Sequence, residues 1–234
     1  EVNPQAILKH KGIIANPNCS TIIMVMALKP IYDLAKIKRV IVSTYQAVSG
    51  AGKEGIDELD AQVREHSEGR EMTANILPSA SAEKHYPIAF NLIPQIDVFC
   101  DNLYTKEEMK MVNETKKIME DYEMRITATT IRVPVYRSHS ESVNIELEKE
   151  VDLGAMREAL AKFPGVTVQD DPSKQEYPMP LYTSEKDDVY VGRLRRDESW
   201  EKSYNMWVVG DQIRKGAALN TLQIAETMIK NGWI

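Results

Sequence analysis

Cysteine is scarce in this chain. There are two in 234 residues, Cys19 and Cys100, and no CxxC pair. That excludes a disulfide framework and points to a reducing compartment, the cytosol. Long apolar runs are also missing. None reaches the roughly 18 residues of a membrane-spanning helix. No block of basic residues interrupts a net charge of −6, which argues against nucleic acid or an anionic membrane as a partner. Gly50-Ala51-Gly52-Lys53-Glu54-Gly55 spells GxGxxG after an apolar strand, a weak signal because the proline-rich residues downstream do not read as the rest of a βαβ unit, and GxxxxGK[ST] does not occur. A ligand-lining loop and a plain loop are both open readings of Gln46–Gly52. The opening Glu1-Val2-Asn3-Pro4 has neither an initiator Met nor a signal-peptide pattern, and reads as the start of an excised piece. No repeat, low-complexity tract or flexible linker breaks the chain. With 43% hydrophobic and 27% charged residues, it has the composition of a globular protein. One α+β domain over residues 1–234 is expected.

What is there centres on Asn16-Pro17-Asn18-Cys19-Ser20-Thr21. Ile13-Ile14 precede it and an apolar run from Ile22 to Leu28 follows. The pattern predicts strand, tight turn and helix, with Ser20 or Thr21 capping the helix. Cys19 then sits at a helix N-terminus, where the partial positive charge favours thiolate over thiol. A small buried residue in a packed turn is the plainer reading of a lone cysteine.

Downstream, Lys38–Tyr45 is a β-branched strand ending in the turn-rich loop Gln46–Gly52. Residues 56–70 are helix-compatible. Residues 73–100 carry Pro78, Pro87 and Pro94, which argues for extended and irregular backbone. Thr105 and Glu108 form a capping box opening the next helix. Arg125–Pro134 and Val143–Glu148 are strands, joined by a polar, hairpin-like connection, Val135–Ser142. A helix over 152–163, a short strand over 166–169, two antiparallel strands over 188–194 and 203–210, and a last helix over about 218–230 follow. The sheet is expected to be mixed and mostly antiparallel.

A thiol needs proton-handling partners. Of four histidines, His139 is best placed, in a polar segment with Ser138, Ser140 and Glu141 around it. Arg132 is a charge in an apolar strand, suited to a carboxylate. Glu107 and Lys110 are three apart on one helix and share a face. A wet strand face and an exposed ion pair are the plainer readings of these groups.

Six segments together resemble aspartate-semialdehyde dehydrogenase. They are Asn16–Thr21, Gln46–Gly52, Pro87–Pro94, Lys106–Ile118, Arg132–Ser142 and Arg214–Asn220, in that order over nearly the whole chain. The resemblance implies helices packed on one face of a mixed sheet, as in the C-terminal domain of glyceraldehyde-3-phosphate dehydrogenase-type enzymes. It implies reduction of L-aspartyl-4-phosphate by NADPH to aspartate semialdehyde and phosphate, on the route to lysine, methionine and threonine. By that likeness Cys19 is the acyl-forming nucleophile, His139 the acid/base and Gln46 the group orienting the acyl intermediate. Asn18 lies in the substrate site, Arg132 binds the α-carboxylate, Glu107 the α-amino group and Lys110 the phosphate, while Asn220 lies near the nicotinamide. A homodimer or homotetramer is implied, and no metal.

One departure is large. The family's N-terminal dinucleotide-binding domain, with a second phosphate-binding Arg, has no counterpart read in these residues, since Gly50–Gly55 falls in the stretch that follows the catalytic-cysteine segment. The expectation is a catalytic and dimerisation domain with an acyl-transfer site, little dehydrogenase turnover alone, and a final helix that packs back on the other domain. An N-acetyl-glutamyl-phosphate reductase, a Cys/His acyl hydrolase and a non-catalytic dimerisation module are the alternatives. Glu107 argues against the first, because an acetylated amine carries no charge.

Overall fold

The computed structural model describes residues 1–234. Helix α1, Cys19–Leu34, is its central element. Eleven of its residues, from Ser20 to Ile31, are buried, so it reads as an almost continuous apolar run rather than an amphipathic stripe. Pro30 lies inside it without ending it. Strand β1, Ile37–Gln46, follows, and then the 3₁₀ turn Val48–Ala51 and helix α2, Lys53–Ser67. Helix α3, Lys106–Ile118, opens on the Thr105/Glu108 capping box. Strands β2, Arg125–Arg132, and β3, His139–Leu147, come next. Helix α4, Leu153–Lys162, is capped by Asp152. Strand β4, Val166–Val168, and the single-turn helix α5, Pro180–Thr183, lead to β5, Val189–Arg196, and β6, Ser203–Gly210. A π-helical turn, Arg214–Ala218, runs into helix α6, Leu219–Lys230.

The sheet is six-stranded, in the order β2-β1-β3-β6-β5-β4. β1 with β2 and β4 with β5 are parallel, and the other three pairings are antiparallel. The mixed, mostly antiparallel α+β expectation therefore holds. α1 packs on one sheet face, flanked by α3 and α4. Ile23, Met24, Met26, Leu28 and Ile31 of α1 join Val40, Val42, Val143, Ile145, Tyr204, Met206 and Val208 in one core. Each such side chain contributes roughly 1.5–3 kcal/mol on burial. A second, smaller core lies under α2, built by Val48, Leu59, Leu77, Ile88, Ala89 and Ile93.

Three expectations are corrected. Residues 12–15 form no strand, and Ile13 is 87% exposed, because no neighbouring strand offers them backbone partners. The helix cap is Asn18, whose Oδ1 accepts the Thr21 N–H at 3.1 Å; Ser20 and Thr21 lie inside the helix. Val135–Ser142 is not a hairpin connection, since β1 lies between β2 and β3 and His139 is already the first residue of β3.

Candidate active site

The order β2-β1-β3 brings three strand ends together beside the start of α1. Gln46 ends β1 opposite Arg132, which ends β2. His139 opens β3, which runs antiparallel to β1. Cys19 is the first residue of α1. Four groups distant in sequence thus meet through sheet register.

Glu107, in the first turn of α3, ties them together. Its Oε1 accepts from Asn18 Nδ2 at 2.7 Å and from Gln46 Nε2 at 3.4 Å. Lys110 Nζ lies 3.4 Å from its Oε2 and 3.2 Å from Asp97 Oδ2. Gln46 Nε2 also donates to Ser20 Oγ at 2.8 Å and Thr44 Oγ1 at 3.2 Å. The Asn18 N–H donates to Glu114 at 2.8 Å. Burial opposes the charge on Lys110, yet the Glu107 and Asp97 carboxylates outweigh it and hold the ammonium above its usual range.

Arg132 is 2% exposed. Its Nε donates to the Pro78 carbonyl at 3.1 Å and its Nη1 to the Ala47 carbonyl at 2.7 Å. No protein acceptor takes Nη2. Burial lowers the guanidinium to about 10, with Cys19 and Glu107 pulling the other way, so it stays charged at neutral pH. His139 is fully buried, and its Nδ1 accepts the Ala47 N–H at 3.1 Å. That bond assigns the proton of the neutral ring to Nε2, which has no protein partner. Burial first, then the Arg132 charge, holds the ring well below the usual histidine range and so neutral. One residue, Ala47, therefore fixes both Arg132 and His139.

The loop after β1 belongs to the site. A Cβ on Gly50 would lie 2.8 Å from Arg132 Nη1 and 3.3 Å from His139 Cε1, so only glycine lets this backbone approach the two side chains. The loop is a lining element of this cluster.

Cys19 departs from expectation. Its thiol is pushed up to about 12, by burial first and then by the Glu107 carboxylate; Ser20 hydrogen bonds and the Arg132 charge oppose this without prevailing. The helix start does not by itself yield a resting thiolate, because removal from water beside an anion costs more than a helix terminus returns. Alkylation with iodoacetamide followed by mass spectrometry should therefore show a Cys19 rate that rises about tenfold per pH unit from pH 7 to pH 10 without a plateau. A plateau near neutral pH would contradict the burial argument.

Asn220, at the start of α6, donates through Nδ2 to Asn16 Oδ1 at 2.7 Å, which brings it beside the Cys19 turn. All eight residues singled out from sequence thus belong to one neighbourhood. The sequence missed Asp97, Glu114, Ser20 and the Ala47 backbone. Ser20, Ala47 and Glu114 lie inside the resembling segments and Asp97 outside them, and all four act through contacts that no local pattern announces. No group of three or more His, Cys, Asp or Glu residues could hold a metal ion, and no helix is long and apolar enough to cross a membrane.

Residues 28–215 match the family described as semialdehyde dehydrogenase, dimerisation domain. An aspartate-semialdehyde dehydrogenase of Aquifex aeolicus is 54% identical over 236 residues, covering 100% of this chain and 68% of the relative. The structure of aspartate semialdehyde dehydrogenase II from Vibrio cholerae, complexed with ASA, superposes with a TM-score of 0.91 at 45% identity, over 98% of this chain and 66% of that one. The Candida albicans enzyme with NADP superposes at a TM-score of 0.68 and 25% identity, over 95% and 59%. The chain thus spans roughly two thirds of these relatives' length, or somewhat less. By sequence, fold and the match over its middle four fifths, it belongs to the aspartate-semialdehyde dehydrogenase family, whose dimerisation domain it carries.

Proposed function

We propose that these residues form the acyl-transfer site of an aspartate-semialdehyde dehydrogenase acting on L-aspartyl-4-phosphate. The observation that carries this is the charge pair around one thiol: the Glu107 carboxylate and the Arg132 guanidinium both act on Cys19. A zwitterionic amino acid needs one partner of each sign, and Arg132 Nη2 is left for a carboxylate while Glu107 suits an ammonium. An N-acetylated substrate would bring no ammonium to the Glu107 carboxylate.

The Cys19 sulfur attacks the acyl carbon of the mixed anhydride. The S–C bond forms, the C–O bond to phosphate breaks, and the thiol proton leaves with the phosphate group. Lys110 is the cation suited to that leaving group. The oxyanion formed on the way faces the Ser20 N–H at the helix start and the Nε2–H of His139. The resting tautomer makes His139 a hydrogen-bond donor to that oxyanion rather than an acceptor of the thiol proton. Gln46, held by Ser20 and Glu107, orients the thioester.

Asn220 fits a nicotinamide carboxamide, because its Oδ1 has no partner while Nδ2 is engaged by Asn16. Bound NADPH would supply the hydride that reduces the thioester to the aldehyde. The glycine-rich turn at Gly50–Gly55 packs on Arg132 and His139 rather than standing open as a dinucleotide cradle, so our reading is that these residues alone serve the acyl half-reaction with little hydride turnover. The second sheet face, where the Tyr45 and Trp207 rings pack 5.5 Å apart with their planes tilted by 47°, carries the contact with a second copy, and the assembly works in the cytosol.

Intact-mass analysis of the 234-residue chain mixed with L-aspartyl-4-phosphate tests this. One aspartyl adduct on Cys19, one phosphate released per chain and no adduct in Cys19→Ser are expected. An absent adduct overturns the acyl-transfer reading. Sustained NADPH oxidation by this chain would overturn the division of labour.

A further inference from the structure

The mechanism above leaves two buried polar side chains of α2 unused, Glu58 and Gln62. They are four apart and so share one face of the helix. Glu58 is 8% exposed, and its carboxylate accepts the N–H groups of Asn75, Ile76 and Leu77 at 2.6, 2.8 and 3.0 Å. Gln62 Oε1 accepts the N–H groups of Ile88 and Ala89 at 2.8 and 3.0 Å, and its Nε2 donates to the Thr73 carbonyl at 2.8 Å. Six hydrogen bonds from two side chains thus hold a segment that has almost no regular structure of its own.

That segment ends on Arg132 twice. Pro78, next to Leu77, supplies the carbonyl that accepts from Arg132 Nε at 3.1 Å. Ile93 exchanges both backbone hydrogen bonds with Arg132, at 2.9 and 3.1 Å. Leu77, Ile88, Ala89 and Ile93 lie in the small core beneath α2 with Leu59 of that helix. The guanidinium is therefore gripped by Ala47 on one edge and by the 73–93 segment on the other. A buried Arg with one free nitrogen presents it in a useful direction only if both anchors hold.

We propose that Glu58 and Gln62 are positioning residues for Arg132, which aim its free Nη2 at the substrate carboxylate through the 73–93 segment and so set the preference for substrates bearing an α-carboxylate. This rests on the reading that Arg132 binds that carboxylate. Neither residue touches the reacting atoms. Their effect is confined to one end of the substrate.

The test uses binding of two aldehydes to the 234-residue chain by titration calorimetry. Aspartate semialdehyde carries the α-carboxylate and 3-aminopropanal lacks it, while both carry the amine. Each adds to Cys19 reversibly: the S–C bond forms, the C=O π bond opens, and the thiol proton ends on the former carbonyl oxygen. Glu58→Gln and Gln62→Ala should each weaken aspartate semialdehyde about tenfold and leave 3-aminopropanal unchanged. Arg132→Lys should remove the same preference. Equal loss for both aldehydes, or no loss for either, overturns the positioning role of Glu58 and Gln62. If Arg132→Lys keeps the preference, the carboxylate reading of Arg132 falls and this proposal falls with it. If Arg132→Lys removes the preference and the α2 variants keep it, only this proposal falls. Far-ultraviolet circular dichroism and the melting temperature identify a variant that has failed to fold. In that case Gln62→Glu, which keeps the Oε1 acceptor and loses the donor to Thr73, replaces Gln62→Ala.

Discussion

Gly216→Ala should leave a folded chain in which Cys19 acquires the aspartyl adduct about a hundredfold more slowly. A Cβ on Gly216 would lie 2.9 Å from Cys19 Cβ, 3.3 Å from its Cα and 3.4 Å from its carbonyl oxygen. Those are atoms of the first turn of α1, not the far end of a flexible side chain, so they move only if the helix start moves. The π-helical turn Arg214–Ala218 presses this glycine onto the nucleophile, and such turns recur at functional sites. A displacement of the thiol by about 1 Å costs on the order of a hundredfold in rate. Adduct formation followed by intact mass, beside the melting temperature, separates this effect from unfolding. An alanine variant that acylates as fast as the parent would show that the close approach is incidental.

Glu141→Gln is expected to raise stability, by an amount that grows with pH. Glu141 is fully buried, and neither carboxylate oxygen has a hydrogen-bond partner. It points to the face of β3 that holds Val143 and Ile145 in the core, opposite Thr44 and Val208. Burial pushes its carboxyl well above the ordinary range. At pH values above the ordinary carboxylate pKa the unfolded chain has lost this proton while the folded chain retains it. The folded state then binds more protons, and stability falls as pH rises, by up to about 1.4 kcal/mol per unit until the folded group itself ionises. Glutamine has nearly the same shape and no proton to lose. The difference in melting temperature between variant and parent, measured from pH 5 to pH 8, should widen with pH. A constant difference would mean that Glu141 is satisfied in solution. His139 works from the other side. Its proton is absent in the fold and taken up on unfolding below its ordinary pKa, so its contribution declines as the solution is acidified.

Elements with local signatures were legible in the residues. Thr105 and Glu108 announced α3 through side-chain capping, and the β-branched run before Gln46 announced β1. The apolar pattern over 152–163 announced α4, which runs Leu153–Lys162. What local pattern could not show was strand order. β1 lies between β2 and β3 only because its parallel partner arrives some eighty residues later, and sequence proximity made 135–142 look like a hairpin. The site residues were found by resemblance rather than by spacing, since Cys19, Gln46, Glu107 and His139 meet only through the sheet. The upward push on the Cys19 thiol has a related cause. A helix terminus is visible in sequence, whereas burial beside Glu107 depends on the assembled fold.

The backbone of Ala47 donates to His139 and accepts from Arg132 across a single Cα. On the roles proposed for Arg132 and His139, recognition of the substrate's far end and handling of its reacting end are therefore mechanically geared. An engineer who shifts Arg132 to fit a longer or shorter amino acid also turns the imidazole. Retargeting such a site requires the loop from Gln46 to Gly52 to be rebuilt as one piece, because substituting the arginine alone would trade specificity against rate.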